Sequence, residues 1–185
     1  MIPIESFRMW RLIDFIAIII ISIIWTITTS LLVTFPFKTS FFMLLLITSI
    51  LASFVALFIR RAGSITAFFT ISGLLTFWSN NFGTGWEKVI ILMVVGIIFE
   101  LSFLLIKIKI NSVPIDIVLG AAFSNLAIPI LILIFIETKA SELLKYAFNF
   151  AATAFIIGII GAIIAYIVWF ELKRLKWVIK FEYKV

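Results

Sequence analysis

Neither cysteine nor histidine occurs anywhere in the 185 residues. The first absence excludes disulfides, thiolate metal sites and cysteine nucleophiles. The second removes the commonest general base and the commonest transition-metal ligand. Charge is scarce as well: 13% of positions are Asp, Glu, Lys or Arg, against about 25% in a soluble domain. No G-x-x-x-x-G-K-[ST] phosphate loop is present, because Gly83-Thr84-Gly85 lacks the following lysine and the flanking strand and helix. ATP-driven work would therefore need a separate ATPase chain. No plausible serine nucleophile with an adjacent base appears. These absences predict no catalytic residue, no bound metal, no cofactor and no enzyme activity.

What fills the chain instead is hydrocarbon. Hydrophobic residues make up 64% of it, with a mean hydropathy of +1.31. A chain of this size has too small an interior to hide so much apolar surface from water. A lipid bilayer is the expected solvent, and a multi-pass protein of the cell membrane the expected class. The net charge of +6 then reads as loops facing anionic lipid and not as a nucleic-acid surface.

A helix needs about 20 apolar residues to cross the hydrocarbon core. Six runs qualify or nearly so: 12–34, 40–59, 64–79, 89–106, 115–136 and 146–170. The prediction is a single all-α domain, a bundle of six transmembrane helices. The third run is short and ends in Trp78-Ser79-Asn80-Asn81, so it is expected to be tilted or only partly spanning. Pro36 closes the first run, Arg60-Arg61-Ala62-Gly63 forms a tight basic turn, Pro114 suits a first helical turn, and Pro129 should kink the fifth run. Alternate connections hold eleven Lys and Arg on one side and four, Lys38, Lys88, Lys139 and Lys145, on the other. That asymmetry places both termini in the cytoplasm. Trp10, Trp86, Trp169 and Trp177 then fall near the interfaces.

Few polar groups lie within the runs. Glu100 is the most informative, because a carboxylate inside a spanning helix is costly and has to face a partner or a cavity. It lies about 9 Å from the end of its run at 1.5 Å per residue. Two readings stand: a ligand- or proton-coupling carboxylate, or a buried hydrogen bond joining helices. Asn125 sits midway along the fifth run beside Ser124, and Asn149 and Thr153 share a face of the sixth. Asn80 and Asn81 end the third, close to Trp78 and Trp86, while Trp25 lies within the first among Thr26, Thr28 and Thr29. Amides together with aromatic faces suit a small flat heterocycle. The alternative is that the hydroxyls bond their own helix backbones and the indoles fill space. The stripe Ala154-x-x-x-Gly158-x-x-x-Ala162, with Gly161 and Ala165 beside it, allows close helix approach, either to another subunit or within the bundle.

The run Ile59-Arg60-Arg61-Ala62-Gly63, the Gly/Asn loop after the third span, Gly96-Ile97-Ile98-Phe99-Glu100, and Val113-Pro114 with Gly120 resemble a known family. They look like the substrate-binding S components of energy-coupling factor (ECF) vitamin transporters, nearest to the thiamine and hydroxymethylpyrimidine (YkoE-like) group. The resemblance covers about residues 59–125. It implies a membrane subunit that captures a vitamin or its precursor and docks on a transmembrane T component driven by two ATPase subunits. It also implies that Glu100 matches the family's glutamate, and that Trp78, Asn80 and Asn81 lie in the binding region. The chain departs from the family at Phe68-Phe69 and Leu75-Thr76, where the family carries acidic residues. Trp86, Trp25, Asn125 and Asn149 complete the candidate substrate-binding set. The rival expectation is a non-catalytic accessory subunit of a larger membrane complex. A third is a proton-coupled carrier using Glu100.

Overall fold

Each apolar run becomes a helix. The computed structural model describes residues 10–32, 34, 37–59, 61–79, 82, 84–106, 109–110, 113–135 and 140–173, with backbone alone at 37–38, 109–110, 113 and 140–148. The helices are α1 (Leu12–Leu32), α2 (Phe37–Ile59), α3 (Ser64–Leu75), α4 (Gly85–Leu105), α5 (Ile115–Phe135) and α6 (Ala140–Leu172). Five of them are long and apolar enough to cross a membrane. The exception is α3, whose 12 residues span about 18 Å, well short of the roughly 30 Å hydrocarbon core. The third run thus stops four residues before the expected end, and Thr76, Phe77 and Trp78 form a turn beyond it.

Other boundaries shift for local reasons. Helix α6 begins at Ala140, six residues before its apolar run, because a helix extends past the hydrocarbon wherever its backbone stays hydrogen-bonded. Pro114 does not enter the first turn of α5. It ends a two-residue strand, β2 (Val113–Pro114), paired antiparallel with β1 (Lys109–Ile110), Lys109 standing opposite Pro114. A strand end tolerates proline as readily as a first turn does. Helix α5 continues through Pro129, which is buried.

Helices α2, α5 and α6 form one packed group, and α3 packs on α4, with α4 also against α5 and α1 against α2 and α3. Helices α2 and α6 run parallel: Phe42 near the start of α2 stacks at 5.4 Å on Phe150, ten residues into α6. Near their ends, Trp169 stands edge-on to Phe54 and to Phe58, each at 5.9 Å. Trp169 is therefore buried against α2, three residues before the end of α6. Between these aromatic clusters the backbones close in. A Cβ on Gly158 would lie 2.6 Å from the carbonyl oxygen of Ala121, and one on Gly161 would lie 2.6 Å from Ser49 Oγ. Ser49 Oγ–H donates to the Gly158 carbonyl at 2.8 Å. Ala154, Ala162 and Ala165 are all buried. The small-residue stripe accordingly joins α6 to α5 and α2 of its own chain, which decides between the two readings of it.

Candidate functional site

Helix α3 is too short for both of its ends to reach water on opposite sides of a membrane, so its unpaired backbone groups need partners inside the protein. The residue before it is Gly63, at φ +86, which has no side chain with which to cap. Glu100 of α4 supplies the missing acceptor. Its Oε1 receives the backbone N–H groups of Ile65 at 2.9 Å and Thr66 at 3.1 Å. At the other end Lys88, also on α4 and fully buried, donates to the Thr76 carbonyl at 2.8 Å, to Ser79 Oγ at 2.6 Å and to the Ser79 carbonyl. Lys88 and Glu100 are twelve positions apart, matching the 12 residues of α3. Each charge faces the helix end of opposite polarity, negative at the N-terminus and positive at the C-terminus. The hydrogen-bonding reading of Glu100 thus describes its geometry: it joins two helices.

Two other candidates come together on α2. The Trp25 indole N–H donates to Thr48 Oγ1 at 2.8 Å, and Thr48 in turn donates to the Leu44 carbonyl at 2.7 Å. Asn125 of α5 donates through Nδ2 to the Leu45 carbonyl at 3.2 Å. Both side chains are about 1% exposed. One turn of α2, from Leu44 to Thr48, thereby receives a polar head from α1 and another from α5. These donors lie about 10 to 17 Å from the helix ends nearest Phe82, at 1.5 Å per residue. Above them an aromatic rim closes the bundle. Phe82, from the α3–α4 connection, lies over Trp25 with centroids 6.4 Å apart and an interplanar angle of 23°. It also meets Phe41 edge-on at 5.7 Å, and Phe41 meets Phe150 at 6.1 Å.

The remaining candidates do not join this group. Trp78 is 91% exposed and Trp86 66% exposed, flanking Phe77 edge-on at 5.3 and 5.4 Å. Asn149 lies on an exposed stretch of α6, and its carbonyl accepts the Thr153 hydroxyl at 2.9 Å. Asn80 and Asn81 lie outside the described residues. The hydroxyls of Thr26, Thr28 and Thr29 bond carbonyls four residues back in α1, as the space-filling alternative held.

At the opposite end of the bundle the turn before α3 is tied to α1. Asp14 Oδ2 accepts the Arg11 backbone N–H at 2.8 Å and sits 3.0 Å from Arg61 Nη1. The Trp10 ring covers Gly63, where a Cβ would come within 3.1 Å of it. Asp14, Lys88 and Phe82 were not among the sequence candidates. For Lys88 a signal existed: a lysine and a glutamate separated on one helix by the length of its short neighbour. Among the described residues no group of three or more Asp or Glu side chains is placed to hold a metal ion. Comparison with protein families, curated proteins and solved structures gives no match to this chain.

Proposed function

We propose that this chain is a membrane-embedded substrate-binding subunit, an S component of an ECF-type importer, that captures a thiamine-related or other small vitamin or precursor without catalysis. In this reading all six helices belong to a plasma-membrane bundle with cytoplasmic termini. A T component and two ATPase subunits supply the driving force. The observation that carries the reading is the convergence of Trp25 and Asn125 on one turn of α2, beneath a rim of aromatic rings. Indole faces over amide and carbonyl groups, in a desolvated interior, are what a flat polar heterocycle needs for orientation and affinity. Glu100 enters this reading as the clamp that holds α3 in place and not as a ligand contact. Trp78 and Trp86 serve as interfacial anchors.

Native mass spectrometry of freshly extracted protein tests the proposal: a retained adduct with the mass of a heterocyclic vitamin or precursor is expected. Adding the same compound to purified protein should quench tryptophan emission at submicromolar concentration. A flat response to thiamine, hydroxymethylpyrimidine, riboflavin, biotin and cobalamin alike would count against it. The rival reading, an accessory subunit of a larger membrane complex, draws on a different observation. The indole of Trp25, the amide of Asn125 and the amine of Lys88 all have partners within the chain. Pull-down in mild detergent separates the two: ATPase and T-component partners favour the first, any other complex the second.

A further inference from the structure

Phe82 is the one described residue other than glycine with a positive φ, at 62°. For a bulky side chain that left-handed conformation is an outlier held against a local steric cost, and such residues concentrate at ligand clamps and switches. Yet the residue is buried, at 4% exposure, while Trp78 in the preceding turn and Trp86 in the first turn of α4 are exposed. The inward pose is held by two neighbouring rings: Trp25, in an offset stack with centroids 6.4 Å apart, and Phe41, near-perpendicular to it at 5.7 Å. The Trp25 N–H is already engaged by Thr48, so the indole offers a partner its face and not its edge.

We propose that Phe82 is a built-in stand-in for the ligand, its phenyl ring filling the stacking position on Trp25 that a planar aromatic ring of the captured molecule takes when Phe82 withdraws. The inference rests on the capture reading above and deepens it. It names the ligand class as planar heteroaromatic and the subsite as the Trp25 face bordered by Phe41. Withdrawal of Phe82 lowers the apparent affinity by the fraction of molecules in which the subsite is open. The left-handed backbone works in the opposite direction, because release of the ring relieves it.

Isothermal titration of the full chain in detergent with thiamine, hydroxymethylpyrimidine, riboflavin and the non-aromatic control biotin tests the proposal. Phe82→Gly removes the ring and suits the positive φ, and it should bind an aromatic member of the panel about tenfold or more tightly than the parent protein does. Phe82→Leu, which keeps an apolar plug, should stay nearer the parent. Dissociation constants for Phe82→Gly within twofold of the parent, or weaker, would overturn the stand-in role and leave vitamin capture standing. Absence of binding to both proteins across the panel would overturn capture and stand-in together. Preferential binding of biotin over the aromatic compounds would overturn the ligand class. Should Phe82→Gly fail to fold, 4-fluorophenylalanine placed at position 82 gives a second readout. Its fluorine resonance should move towards that of a solvent-exposed ring as an aromatic compound saturates the protein, and an unmoved resonance at saturation would sink the proposal.

Discussion

Two interfaces in this bundle share close approach at glycines and differ in what is added to it. Between α3 and α4, where a Cβ on Gly96 would lie 2.8 Å from the Thr66 Cα and one on Gly73 3.2 Å from the Val89 Cα, charge is added at the ends, with Glu100 and Lys88 closing the two termini of a helix too short to span. Between α6 and its neighbours α5 and α2 the contact is made along the middle by absence of bulk. Gly158 and Gly161 let backbone and side chain approach to distances no Cβ permits. The first is directional and depends on pairing. The second depends on packing and includes a hydrogen bond from Ser49 to Gly158. The difference teaches that the chain adds charge where the backbone groups of a short helix would otherwise be orphaned. Elsewhere it relies on shape.

Substitutions break the comparison in different ways. Glu100→Leu should have the largest effect, about 3 kcal/mol, because it leaves two buried N–H groups without an acceptor. Unfolding in mixed detergent measures the loss. Glu100→Gln, which keeps a carbonyl acceptor, should recover more than half of it. Amide exchange at Ile65 and Thr66 should speed up in the Leu variant ahead of exchange elsewhere in α3, and uniform exchange would argue against a capping role. Gly158→Ala follows at about 2 kcal/mol, since its methyl group meets backbone atoms of α5 that cannot turn aside. Its damage should spread over α5 and α6 and spare α3. Lys88→Met comes last at about 1 kcal/mol, because carbonyl groups have two lone pairs and this end of α3 lies within a turn of the bundle's edge. If Lys88→Met proved as costly as Glu100→Leu, the two ends of α3 would be equally dry.

Much of this architecture was legible in composition and run length. Lipid as solvent, six helices, a deficient third run and the importance of Glu100 all follow from counting apolar residues and noticing the one acid that lies more than two residues inside a run. The candidate site was legible only in part. Trp25 and Asn125 stood out as polar heads on apolar helices, but their meeting on α2 depends on helix rotation, which near-uniform Ile, Leu and Phe leave unmarked. Asn149 shows the same gap from the other side: its helix presents it outward, and an apolar pattern on every face gave no means of telling in from out. Lys88 was concealed differently. A lysine near a helix end reads as a solvated charge, and only the termination of α3 beside it makes it a cap.

The distance in sequence between α3 and its acid partner has a consequence for biosynthesis. Ile65 leaves the ribosome 35 residues ahead of Glu100, so a nascent α3 has no counter-charge for its leading end and too little length to hold itself in the bilayer. It becomes a stable membrane segment only once α4 has been translated. The two are accordingly expected to assemble as a hairpin, the first completed only when the second arrives.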